Sequence, residues 1–262
     1  MHACYIMRGR CKSCPIACRL PAVQSGNRGM ILTFGGEKGG VGKSTLSVHL
    51  AFMLRAMGRD PLLVDADPQG SATNFTAARD GHGAEPRVAG VQKLGKGLAH
   101  EVRGLADRYT DLVIDTGGRD SVELRLAMLV SDRVIVPINL SAFNWWTLEK
   151  VDQLVGEARL SNPDLQAAVL LNRAPGNPAL RRRKVVTTVE RLHSAAFANL
   201  AVLETVIVER TVFQDNEEFG LTAWEPSVLR GVVDANACGE TAALYKEITG
   251  HEYTAGTVGA AA

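Results

Sequence analysis

The residues able to do chemistry begin at Gly36. The segment Gly36-Glu37-Lys38-Gly39-Gly40-Val41-Gly42-Lys43-Ser44-Thr45 follows the apolar run Met30 to Phe34 and precedes an apolar-rich stretch from about Ser44 to Met57. Glycines let backbone N–H groups turn inward around phosphate oxygens. A helix starting just behind them adds the positive end of its dipole. In that setting Lys43 can reach the β and γ phosphates of a nucleotide, and the Ser44 hydroxyl can coordinate Mg²⁺. The plain alternative is a Gly-rich turn that only caps a helix; the order strand, loop, Lys-Ser, helix weighs against it. The ordinary phosphate-loop pattern asks for Gly where this chain has Glu37, and a second lysine, Lys38, opens the loop.

Two further segments end apolar runs in carboxylates. Leu62-Leu63-Val64-Asp65-Ala66-Asp67-Pro68-Gln69-Gly70 is one, and Leu112-Val113-Ile114-Asp115-Thr116-Gly117-Gly118 is the other. A carboxylate at a strand end beside a phosphate loop can orient water or hold metal-bound water. An Asp-Pro turn alone would be bland; its place after the loop and helix gives it meaning.

Together these segments resemble the ParA-type partition ATPases. That superfamily also contains septum-positioning ATPases and the nitrogenase iron protein, and it carries a deviant Walker A loop with a second lysine. The resemblance implies that Lys38 acts in trans on the nucleotide of a partner subunit, stabilising phosphate charge across a homodimer. It implies that Asp67 positions the attacking water, that Asp65 supports the site, and that Asp115 is a Walker B aspartate linked to Mg²⁺ through water. The family usually has Asp-x-Pro-Pro at this last position; Gly117-Gly118 departs from it and is expected to leave the loop less rigid. Weaker similarity continues through Leu129 to Pro137 and through Val206 to Arg210, with Phe213 and Gly220, so that it spans Met30 to about Ile248.

Those residues need strands and helices to position them. Runs at 30–34, 61–65, 112–115, 133–138, 168–171 and 203–208 read as six strands, with helices at about 44–57, 145–158, 179–193 and 238–248. Short apolar strands alternating with helices predict a single-domain P-loop α/β fold: a mostly parallel sheet covered by helices on both faces. Ligands in such folds sit beyond the C-terminal ends of the strands. On that ground Asn172 and Arg173, ending the fifth strand, are candidate adenine contacts. Residues 77–100, rich in Gly, Ala and charge, read as a loose surface connection. The expected organisation is an N-terminal extension at 1–29 (disordered, or from a misassigned start), the ATPase domain at 30–250, and a flexible tail at 251–262.

The whole chain of 262 residues carries a formal charge of only +1, but unevenly. Residues 172–191 hold six basic residues and one acidic. Arg181, Arg182, Arg183 and Lys184 fall on one expected helix. Such a run is often just a solvated face. The resemblance offers more, because the family binds DNA without sequence preference through basic residues late in the chain; such binding needs phosphate neutralisation and no base reading. Arg210 is a further candidate DNA contact.

Four of five cysteines, Cys4, Cys11, Cys14 and Cys18, lie in the extension, and the body holds only Cys238. This excludes a disulfide scaffold and suits a reducing cytoplasm. Four thiolates could hold zinc or an iron–sulfur cluster, so a cluster carrier of the same superfamily is the competing reading; such carriers also use a paired Cys-x-x-Cys in the body, which this chain lacks. No apolar run approaches the ~20 residues of a membrane span. The last twelve residues contain no Lys or Arg, so membrane recruitment through a basic C-terminal helix, as in septum-positioning ATPases, is not expected. The resemblance, to the small form without a leading helix-turn-helix, implies a DNA-partition ATPase with ATP and Mg²⁺ as cofactors. Its partners would be a second copy of the chain, non-specific DNA and a ParB-type or other centromere-binding adaptor that stimulates slow hydrolysis, and its location would be cytoplasmic and nucleoid-associated.

Overall fold

The computed structural model describes residues 29–118, 121–140 and 145–255. Seven strands form one parallel sheet: β1 (Ile31–Phe34), β2 (Pro61–Ala66), β3 (Ala89–Gln92), β4 (Asp111–Thr116), β5 (Arg133–Asn139), β6 (Gln166–Ala174) and β7 (Ala201–Val208), in the order β3-β2-β4-β1-β5-β6-β7. The helices are α1 (Lys43–Ala56), α2 (Ser71–His82), α3 (Leu98–Ala106), α4 (Val122–Met128), α5 (Trp145–Arg159), α6 (Pro178–Ala195), the short α7 (Val212–Asp215) and α8 (Ala235–Thr249). The expected α/β architecture is therefore present.

Period-two alternation sorts the strand residues between the faces. Leu32, Phe34, Leu63 and Val113 pack with α1 and α8, while Ile31, Leu62, Val64, Leu112 and Ile114 pack on the opposite side with Leu98 and Val102 of α3. Farther along that second side, Val134, Val136, Val169 and Leu171 meet Leu148, Val151 and Val155 of α5. Helix α1 is buried almost all round, from Leu46 to Leu54. That burial anchors the element carrying the phosphate loop against the middle of the sheet.

Strand β1 lies between β4 and β5, so the chain order reverses there. This is the switch point at which a crevice opens beyond the strand ends. Phe34 is level with Asp115 of β4 and with Ile135 of β5, and Asp65 of β2 is also level with Asp115. In-register parallel pairing thus delivers the loop and both carboxylate segments to one edge.

Two expectations are corrected. Residues 77–100 are no loose connection: they contain the end of α2, all of β3 and the start of α3. Within them Arg79 is buried and donates to both carboxylate oxygens of Glu225, at 2.8 and 2.9 Å, and to the carbonyls of Glu85, Pro86 and Gly220. A charge that composition assigns to the surface is here fully paired inside. The tail does not fray at His251. Tyr253 packs its ring on Trp224 and Tyr245, with centroids 4.4 and 5.5 Å away, which fixes the chain up to that point. Residues 256–262 and the extension up to residue 28, with its four cysteines, lie outside the described residues.

Candidate active site at the strand ends

The phosphate loop is held from three sides. Gly35 N–H donates to the Ile135 carbonyl of β5 at 2.9 Å. Asn172, buried at the end of β6, donates from Nδ2 to the Val41 carbonyl at 2.7 Å. Gly42 adopts φ +89°, and a Cβ there would stand 2.5 Å from Asn172 Nδ2, so both conformation and space require glycine. On the third side Gly118 packs against the loop: a Cβ on it would meet Gly39 backbone atoms at 2.7 Å. The Gly117-Gly118 departure, expected to loosen the turn, instead permits close backbone approach. Helix α1 then starts at Lys43 with no side-chain cap, which leaves its first N–H groups to a phosphate.

Lys43 is buried, and its ammonium donates to the Lys38 carbonyl at 3.0 Å. Burial lowers its pKa, and Asp115 and Asp67 oppose that shift. Asp115 is fully buried, and neither carboxylate oxygen has an aligned hydrogen-bond partner. Its pKa is pushed up to about 7, chiefly by burial, with Asp65 and Asp67 adding; the nearby Ser44 hydroxyl and the Lys43 charge pull it down. A buried carboxylate served only by a nearby serine hydroxyl and a lysine charge is costly unless a further cation is at hand. The donor set of a hydroxyl and a carboxylate is also the hard oxygen chemistry Mg²⁺ takes. Ser44 and Asp115 therefore fit the ion, and Lys43 with the loop fits the phosphates.

Asp65 and Asp67 divide their work. Asp65 is buried and accepts from Asp67 N–H at 3.1 Å and from Thr73 N–H at 2.8 Å, joining the end of β2 to α2. Asp67 is partly exposed; it accepts from Gln69 N–H at 3.0 Å, and its carbonyl accepts from Gln92 of β3 at 3.2 Å. A Cβ on Gly117 would lie 3.4 Å from its carboxyl carbon. Asp67 thus faces the loop that follows Asp115, braced by Asp65 and by Gln92, which lies in a strand that periodicity does not reveal.

Asn172 and Arg173 line a second recess next to Gly42, Thr45 and Leu46, together with residues from Ile207 to Glu217. Asn172 is committed to the loop through Nδ2. Arg173 is partly exposed with φ +50°, in the left-handed region. Arg210 lines the same recess and is bound by Glu240 at 2.6 Å, with Asp234 at 3.9 Å. That pairing sets its guanidinium against two carboxylates inside the fold. Helix α6 differs: Asn177 caps it, Leu192 is its one buried residue, and Arg182 and Arg183 are exposed while Arg181 and Lys184 are partly so.

A parallel sheet with a phosphate loop at its switch point and two strand-end aspartates beside it defines a P-loop ATPase. Comparison with known proteins narrows this. Residues 32–223 match the CobQ/CobB/MinD/ParA nucleotide binding domain, and the chain belongs to that family, whose members are ATPases. It is 27% identical over 203 residues to the Maintenance of carboxysome distribution protein A of Halothiobacillus neapolitanus, covering 76% of this chain and 88% of that one. It is 26% identical over 180 residues to the Sporulation initiation inhibitor protein Soj of Bacillus subtilis, covering 55% and 70%. Among solved structures, the cell division ATPase MinD of Pyrococcus furiosus superposes with a TM-score of 0.61 at 18% identity, covering 84% of this chain and 98% of that one. A plasmid partition protein of Borrelia burgdorferi bound to AMPPNP gives 0.60 at 21%, covering 84% and 98%. The structural likenesses show the fold.

Proposed function

We infer that this ATPase is a DNA-partition switch: an ATP-bound homodimer holds DNA without sequence preference and lets go after hydrolysis. The observation that carries the reading is the loop itself, in which Lys43 is buried over the site while the extra lysine, Lys38, opens the loop at its rim beside two exposed glycines. Relatives named as partition proteins support it, among them the chromosome partitioning protein ParA of Myxococcus xanthus, 27% identical over 184 residues.

The chain's own residues divide the work as follows. Loop N–H groups and Lys43 bind the phosphates and offset their charge. Ser44 and Asp115 would hold Mg²⁺, which when bound supplies positive charge to the β and γ phosphates. Asp67, on its braced turn, orients water toward the γ phosphate, and positioning of this kind is most of what phosphoryl transfer asks of a protein. Lys38 reaches the nucleotide of the second copy. The recess between Thr45 and Phe213 takes the adenine, with Arg173 at its edge. The exposed face of α6, with Arg181, Arg182, Arg183 and Lys184, neutralises DNA phosphates, and an adaptor of the ParB type stimulates the slow turnover. These roles place the protein on the nucleoid in the cytoplasm. Among the described residues no helix is long and apolar enough to cross a membrane.

The competing carrier reading rests on Cys4, Cys11, Cys14 and Cys18, which lie outside the described residues. In the body Cys238 is buried, donates to the Ala223 carbonyl at 3.3 Å, and burial pushes its thiol up to about 11, the reverse of a metal-binding thiolate. The test of the dimer switch is sedimentation of Lys38→Ala with a non-hydrolysable ATP analogue. The variant should bind the analogue through Lys43 and stay monomeric where the wild type dimerises. A Lys38→Ala protein that dimerises and turns over normally would refute the trans role.

A further inference from the structure

Glu37 is the loop residue that phosphate chemistry does not ask for. It stands where the ordinary loop has glycine, next to Lys38, and its side chain is only 12% exposed. A carboxylate at the mouth of a polyphosphate site repels the ligand, and partial burial strengthens that repulsion. The structure supplies a counter-charge from a distant part of the chain. Lys150 Nζ lies 2.7 Å from Glu37 Oε1. The contact lacks hydrogen-bond alignment, so it is a charge contact.

Lys150 sits on the second turn of α5, and that helix start is built onto the loop. Thr147, Leu148 and Val151 line one small cleft together with Gly36, Glu37 and Lys38. The two sides of Lys38 are therefore tied to different elements. The preceding side chain is tied to α5, and its own carbonyl is tied to the Lys43 ammonium.

We propose that Glu37 and Lys150 form a compensating charge pair: Lys150 cancels the repulsion between the Glu37 carboxylate and the nucleotide phosphates. This deepens the reading of the nucleotide site and rests on it, but not on DNA binding. Neither residue transfers a proton or touches the reacting atoms.

The test uses the full chain and equilibrium binding of a fluorescent ATP analogue with Mg²⁺, alongside steady-state KM and kcat, without DNA. Lys150→Gln removes this counter-charge and should weaken binding and raise KM about fivefold. Adding Glu37→Gln to that variant removes the repulsion and should return KM to within about twofold of wild type. Glu37→Gln alone should bind at least as tightly as wild type, a reading that survives even if Lys150→Gln folds poorly. Lys150→Arg keeps the charge and should retain wild-type KM. A merely solvated lysine predicts wild-type KM in Lys150→Gln. A merely structural lysine predicts no recovery in the double variant. Either result overturns the pair, as does weakened binding in Glu37→Gln. Failure of the dimer switch would appear instead in the sedimentation of Lys38→Ala.

Discussion

At the head of β4 and the start of α1 the working side chains are buried and over-determined; on α6 they are neither. Lys43, Asp65 and Asp115 are each less than one-tenth exposed. The loop around them is fixed by Asn172, by Ile135 and by the close approach of Gly118. Helix α6 buries Leu192 alone and turns Arg182 and Arg183 to solvent. The contrast fits the two roles proposed for these regions. Phosphoryl transfer needs groups held to a fraction of an ångström before the ligand arrives. Contact with a duplex read only by its charge needs long cationic side chains that remain adjustable.

The contrast can be broken first where the effect should be largest. Asp67→Ala should keep nucleotide binding and lower turnover by about two orders of magnitude or more, accumulating an ATP-bound form; single-turnover hydrolysis measures it, and near-normal turnover would remove Asp67 from its role. Next comes the buried brace between α2 and the segment before α8. Glu225→Gln leaves the Arg79 guanidinium short of its counter-charge and should cost about 3–5 kcal/mol in urea unfolding. A loss under about 1 kcal/mol would mean that the interior there is wetter than the geometry indicates.

A third test concerns pH. His49 of α1 donates from Nδ1 to the Thr45 carbonyl at 2.6 Å and accepts Ala223 N–H on Nε2 at 2.9 Å, which fixes the neutral ring. Burial is the main cause that takes its pKa down to about 4. The unfolded chain therefore binds a proton that the folded chain refuses between the ordinary histidine value and about 4. Stability from this group is full above about pH 6.5 and falls as pH drops toward 4, by up to about 3 kcal/mol. His49→Gln should lose that part of the acid sensitivity, seen as a flatter dependence of unfolding free energy on pH. The smallest effect on the fold belongs to α6: Arg182→Ala with Arg183→Ala should change stability by less than about 0.5 kcal/mol and leave DNA-free hydrolysis intact.

Much of the site is legible in the sequence because its residues fall in short segments with local meaning. Asp65, Asp67 and Asp115 end apolar runs, and the loop's glycines and lysines are contiguous. The missing parts are those whose meaning arises only across the fold. Ala89–Gln92 is a short, mostly exposed edge strand without an apolar run, so periodicity gives no signal, and Gln92 is missed with it. Helix α2 starts on a left-handed glycine with no side-chain cap and buries only Ala72, Phe75 and Arg79, so it too escapes a reading by pattern. Gly118 looks like looseness because nothing in a sequence says that another backbone lies where its Cβ would be. The bonds of Arg210 to Glu240 on α8 and of Asn172 to Val41 escape the sequence because their partners lie 30 and 131 residues away.

The proposed partition role requires that ATP control a charge-driven grip on DNA. The direct measurement is equilibrium binding of the full-length protein to duplexes of unrelated sequence, titrated with salt, in the presence of ATP analogue, ADP or no nucleotide. We expect tight binding only with the ATP analogue, equal for all sequences. The slope of log affinity against log salt should flatten in the Arg182→Ala, Arg183→Ala protein by about 0.9 for each phosphate that is no longer neutralised. Binding that is indifferent to nucleotide, or a slope unchanged by removing both arginines, would contradict it.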